Sequence, residues 1–194
     1  MDPFTATVTA LEARLRTAFP GNKWFFELTP HPMTSGEFRS VVGNTPMLAL
    51  SWMGLTPVAS PGRRFTGKCE MRLTIIVKNQ SQRSKRFLGD ARGPGLFPAI
   101  GAAVALIQGH TKDGLGTFFV TGVGQTYAEG FDDLSMAIAT VDIEINLAWG
   151  DYFNATASEP DFLRVLANFS TDGEDWGAPP AQPQQPQNPF EVRP

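Results

Sequence analysis

The chain has 194 residues, 42% of them hydrophobic, with a net charge of −3 and a pI of about 5.4. That is enough apolar material for one core in one domain. The acidic balance argues against a protein whose main partner is the phosphate backbone, which draws on a strongly basic face. The one cysteine, Cys69, has no partner for an internal disulfide, so a buried thiol and folding in a reducing cytoplasm are expected.

The N-terminus carries no basic stretch leading into an apolar one. No apolar run approaches the roughly 20 residues that a spanning helix needs. Neither standard export nor a membrane partner is expected. Instead, Asp2-Pro3 reads as a helix start: the aspartate can accept from free backbone N–H groups, and proline at the first helical position gives up nothing. Phe4, Val8, Leu11, Leu15 and Phe19 then form one stripe at helical spacing, with Glu12, Arg14 and Arg16 off it, and Pro20-Gly21 stops the pattern.

Residues 23–28 (KWFFEL) read as a short aromatic strand, and 35–44 as a loop with a helical turn. Residues 46–55 (PMLALSWMGL) are apolar on both parities, which fits a strand covered on both faces, and 57–64 form a turn-rich exposed connector. The strongest strand signal is 65–77, FTGKCEMRLTIIV. Phe65, Gly67, Cys69, Met71, Leu73, Ile75 and Val77 take the odd positions, and Thr66, Lys68, Glu70, Arg72 and Thr74 the even ones. A side-chain period of 2 gives a core face and a face charged with both signs.

Residues 78–95 read as a long loop bearing Lys78, Arg83, Lys85, Arg86 and Arg92. A loop of that size inside a compact domain is often functional. Residues 96–108 form a helix with Leu96, Ile100, Ala103, Val104 and Ile107 on one side, ended by Gly109. Residues 117–127 are a strand in which Gly122 and Gly124 signal a bulge or a close backbone neighbour. Residues 129–134 turn the chain into its antiparallel partner, 137–149, where Ala139, Val141, Ile143, Ile145, Leu147 and Trp149 alternate with Thr140, Asp142, Glu144 and Asn146.

This order predicts an α+β fold, a mainly antiparallel sheet with helices on one face, over residues 1–150. Residues 151–169 form a short helical extension, with Phe162, Val165, Leu166 and Phe169 on one side. Residues 170–194 are rich in proline and glutamine, with little to bury, and read as a flexible tail whose apolar anchors would be Phe190 and Val192.

No catalytic set, metal site or cofactor site is expected. His31 and His110, the only histidines, lie in predicted loops, and Cys69 points inward. HExxH, CxxC and EF-hand spacings are absent. Gly93-Pro94-Gly95 has Pro98 where a dinucleotide fingerprint needs its third glycine, and Gly122-Val123-Gly124 runs on into a strand. Asp132-Asp133 and Asp142/Glu144 read as a turn and a wet strand face. Contact with a partner therefore falls to the charges. The basic loop suits an acidic protein surface or nucleic acid bound through phosphates without sequence reading. Lys68, Glu70 and Arg72 suit pairing with a neighbouring copy, or plain solvation.

Four features together resemble the tail terminator proteins of tailed bacteriophages, in particular the Mu-type branch. They are the amphipathic helix closed by Phe19-Pro20-Gly21, the alternating strand FTGKCEMRLTIIVKN with its basic loop, the LFPAIGAAVALIQGH helix, and a last hairpin ending in SMAIATVDIEINLAW. They span 4–150; residues 29–64 and the tail fall outside the likeness. The resemblance implies a non-enzymatic virion protein, assembled in a bacterial cytoplasm, that caps the head-proximal end of the tail tube as a homohexameric ring. Its partners would be its own copies, the tail tube protein and a neck or head-completion protein, with non-specific DNA contact in the lumen. On this likeness Lys68, Glu70 and Arg72 are expected at subunit contacts, and Arg83, Lys85 and Arg86 at the tube, the neck or the DNA lumen. Another head–tail connector or tail completion protein, and an adaptor binding through its proline-rich tail, are the alternatives.

Overall fold

A computed structural model describes residues 2–31, 34–58, 65–80, 82–126 and 135–148, except for the side chains of Ser35, Val41 and Arg83. The chain divides after Tyr152 into two compact units, and every described residue belongs to the first. The helical extension and the proline/glutamine tail lie outside the described residues.

The first helix, α1, spans Pro3–Leu15 and starts as its sequence dictates, with Asp2 Oδ1 accepting from the Thr5 N–H at 2.8 Å. Its apolar stripe runs into the core, where Leu11, Leu15 and Phe19 are buried and Phe4 and Val8 half-buried. Phe19 meets Trp24 edge to face at 4.8 Å, which turns the chain into β1, Phe25–Leu28. After α2 (Ser35–Val42) come β2 (Met47–Val58) and β3 (Thr66–Lys78), then α3 (Arg83–Leu88), α4 (Leu96–Ile107), β4 (Thr111–Lys112), β5 (Gly116–Thr126) and β6 (Met136–Ala148).

The fold is α+β. Its six strands form one mixed sheet in the order β1-β2-β3-β6-β5-β4. β1 runs parallel to β2, while β2–β3, β3–β6, β5–β6 and β4–β5 are antiparallel. The two thirteen-residue strands β3 and β6 sit at the centre, paired from Thr66↔Ala148 to Lys78↔Met136. Their inward residues Cys69, Met71, Leu73, Ile75 and Val77, and Ala137 to Leu147 at alternate positions, form the main core with α1 and α4. Arg14 Nε donates to the Leu106 carbonyl at 3.1 Å, tying α1 to a carbonyl in the last turn of α4, where a cation is favoured.

Two expectations need correction. The helices do not all lie on one face: α2 covers the opposite side of the sheet, where Val42 and the half-buried Phe38 pack on Met47, Ala49, Ile76 and Ile138. The cause is in the strands, which carry a second apolar set at one end of their outer parity and need a cover there. Nor is 35–44 a loop with a turn. Thr34 and Glu37 form a reciprocal capping box, Glu37 Oε2 accepting from the Thr34 N–H at 2.8 Å and Thr34 Oγ1 from the Glu37 N–H at 3.2 Å. The Thr34 N–H and then the Thr34 hydroxyl, both donating to Oε2, hold the Glu37 carboxyl below its ordinary pKa.

Candidate functional site

The outer face of β3 and β6 begins apolar beneath α2 and turns polar where α2 ends. Ser51, Thr74 and Thr140 mark the border; Ala49 pairs with Thr74 and Ser51 with Arg72 across β2–β3, and Thr74 with Thr140 across β3–β6. Beyond it the register brings Arg72 opposite Asp142 and Glu70 opposite Glu144. Arg72 forks onto its partner, Nε to Asp142 Oδ1 at 2.7 Å and Nη2 to Oδ2 at 3.3 Å. The hydrogen bond to Asp142 raises the guanidinium pKa further.

The neighbouring pair would be repulsive by itself, since like charges directly across a sheet destabilise it. Lys68 resolves this, its Nζ lying 2.9 Å from Glu70 Oε1 and 3.2 Å from Glu144 Oε2. Hydrogen bonds to Glu70 and then Glu144 raise the ammonium pKa. These five charges, with Met53 and Thr121 at the rim, line a shallow open depression of about 240 Å³. Gly122 follows Thr121 beside it. The β5 bulge between Val120 and Gly122 sets that glycine against Asp142, whose Oδ2 would lie 3.1 Å from an added Cβ.

Lys68, Glu70 and Arg72 are thus one cluster, already paired within the chain. Asp142 and Glu144, read from sequence as a wet strand face, are their partners. The signal for them was present in the matching alternation of 65–77 and 137–149, with Lys68 and Arg72 at even positions of the first and Asp142 and Glu144 at even positions of the second, but the register that joins them is tertiary.

The basic segment is not one long loop. Residues 83–88 form α3, and the segment closes on itself where Gly89 and Gly95 meet back to back. A Cβ on Gly95 would run into Phe87 O, Leu88 C and Gly89 N, so the neck closes only with glycine there. Buried Asn79 braces it from the end of β3, donating from Nδ2 to Asp90 Oδ1 at 3.1 Å. Lys85 and Arg86 are half-buried. Arg86 Nη2 donates to Ser135 Oγ at 3.2 Å, while its buried Nε has no hydrogen-bond partner among the described residues. The Arg83 side chain lies outside the description.

The two predicted sets are not brought together. Arg86 meets Ser135 before the start of β6, seven residues from Asp142, or about 23 Å along a strand. Apolar side chains adjoin the α3 set, with Leu88 and Phe97 exposed and Phe87 5.4 Å from Phe97.

Cys69 is fully buried, and burial pushes its thiol up to about 11, far from the thiolate a nucleophile needs. His110 stacks on Phe118 at 5.9 Å, its pKa lowered by burial and by Arg14 and Lys112. Among the described residues no three His, Cys, Asp or Glu side chains stand close enough to hold a metal ion, and no helix is long and apolar enough to cross a membrane. Asp132-Asp133 lie outside the described residues.

No protein-family model matches the sequence, and comparison with curated proteins found no significant match.

Proposed function

We propose that the chain is a non-enzymatic assembly subunit, a tail-terminator-like protein that caps the head-proximal end of a phage tail tube as a homohexameric ring and offers its other face to the neck. The observation that carries this reading is the outer face of β3 and β6. It is a field of both charge signs at the centre of the sheet, lining an open depression of about 240 Å³, below the usual size of a small-molecule site. Such a field can pair with a neighbouring copy or the tube by exchanging partners, Arg72 and Lys68 turning from Asp142 and Glu144 to carboxylates across the contact. The order of elements and the mainly antiparallel pairing suit the same reading. Lys85 and Arg86, on the separate α3 surface, are then the contacts to tube, neck or lumenal DNA, and the protein resides in the virion at the tail–neck junction.

Tail assembly tests it. Phage lacking the protein should make tails of uncontrolled length, and the purified protein alone or with tube protein should give six-membered rings by light scattering and negative-stain images. Glu70→Lys should block ring formation while the monomer stays folded. Normal tail length without the protein overturns the reading. Partner binding that is lost on deleting residues 179–194 while ring formation is absent would point to an adaptor instead.

A further inference from the structure

The sheet has two unlike edges, and both are open among the described residues. At one side is β1, four residues whose second edge carries no hydrogen-bonded neighbour. At the other, β5 is covered only at its beginning. β4 pairs with Gly116 and Thr117, His110 and Gly109 bond the backbone of Phe118, and Gln108 Oε1 accepts from the Val120 N–H at 2.8 Å. From Thr121 to Thr126 the outer edge is bare, a stretch of about 20 Å.

Bare edges of that length are templates for another chain, and soluble proteins blunt them with lysine, proline, inward charges or very short strands. β5 has a bulge between Val120 and Gly122, another such device, but none of these. Thr117 to Thr126 reads TFFVTGVGQT, without one charged residue or proline. Exposed apolar side chains gather on both edges instead. Phe25 and Leu28 of β1 are 51% and 59% exposed, and Phe119 and Val123 of β5 are 44% and 50% exposed. On each strand one of the two faces outward and one inward, since Phe25 and Phe119 pair with outer-face Met47 and Glu144, and Leu28 and Val123 with inner-face Leu50 and Val141. Leu28 also borders an apolar groove of about 290 Å³ floored by Leu50 and Met71 and walled by Trp52 and Phe4.

Strand directions supply the mode of joining. β1 runs with β2, and alternation through β3 and β6 leaves β5 running against β1. A second copy placed side by side in the same orientation would therefore meet β5 antiparallel with its β1, the usual pairing for strand addition across a sheet edge. We infer that copies of this chain join head to tail by pairing residues 121–126 of β5 with β1 of the next copy, the exposed apolar residues of the two edges packing beside one another on both faces. The contact is heterologous, because the two surfaces differ, and it closes into a ring or runs on as a filament according to the angle per copy. Its link to a six-membered ring rests on the terminator reading; the edge pairing itself does not.

A mixing experiment tests this. Phe25→Lys and Val123→Lys each place a charge on an exposed position of one edge, and both variants should keep the wild-type melting temperature. Wild type should assemble, each variant alone should be monomeric in analytical ultracentrifugation, and an equimolar mixture should form a heterodimer and nothing larger, because it has one intact pair of edges. Assembly of Phe25→Lys by itself would mean a symmetric β5–β5 contact and overturns the inference, as does a mixture that stays monomeric or a wild type that never assembles. The two readings fail differently. Rings that survive both lysines overturn the edge pairing and leave the terminator reading in place, whereas filaments or open oligomers that both lysines abolish leave the pairing in place and overturn the closed ring.

Discussion

Two halves of one sheet face, carried by the same strands, follow opposite rules. Under α2, the outer residues Met47, Ala49, Ile76 and Ile138 are buried and apolar. A few residues along the same strands, the outer positions are Arg72, Asp142, Glu70, Glu144 and Lys68, half-exposed and paired in charge. What divides them is only where α2 ends. The lesson is that a strand's outer parity reports its local cover: apolar where a helix lies on it, charged where the surface is left for water or a partner.

The comparison is broken most directly by equal truncations in the two halves. Ile76→Ala, beneath α2, should cost about 2–5 kcal/mol of unfolding free energy in urea titration, because it opens a cavity among packed neighbours. The covered inner face offers a second probe. Cys69 has its folded pKa raised from an ordinary value of 9.0 to about 11, so the unfolded chain releases its proton first as pH rises. The contribution of Cys69 to stability should therefore be constant below pH 9 and fall between pH 9 and 11, on the order of 1 kcal/mol per pH unit. Comparing wild type with Cys69→Ser isolates that slope, which the serine variant should lack.

Smaller effects sharpen the border itself. Thr34→Ala removes one side of the capping box that starts α2, and should cost about 1 kcal/mol while lowering hydrogen-exchange protection in Ser35–Val42 more than in α4. Arg72→Ala, in the open half, should cost only about 0.2–1 kcal/mol, since its pair with Asp142 is partly exposed and screened by salt. A loss at Arg72 as large as that at Ile76 would show that the charged half is structural, with no surplus for a partner. Glu70→Lys should leave the melting temperature nearly unchanged and act on assembly alone.

Much of the fold was legible in the alternation of side chains. The odd residues from Cys69 to Val77 and from Ala137 to Leu147 do fill the core, and the stripe from Phe4 to Phe19 does bury against it; Phe65, read as inward, is 41% exposed, and Trp149 lies outside the described residues. Asp2 and Gly109 bound their helices as their chemistry suggests, Gly109 at a φ of 72°. The helix α2 was within reach of the sequence through Thr34 and Glu37, three apart, but its mixed composition gave no clear stripe. α3 was not: six residues cannot hold a helix by local preference, and it stands because Gly89, Gly95 and Asn79 close the loop beneath it.

By itself the sequence determined most inward residues of the two central strands, where α1 begins and where α4 stops, and that Lys68, Glu70 and Arg72 share a face, because periodicity and capping are local properties of the chain. Only the tertiary structure decided that β3 lies between β2 and β6, that Asp142 and Glu144 pair with the charges of that face, and that β1 and the second half of β5 have no strand neighbour on their outer edges among the described residues. Those outcomes depend on pairings between residues as far apart as Thr66 and Ala148. Strand order and register follow from the joint packing of both faces, which no local pattern contains.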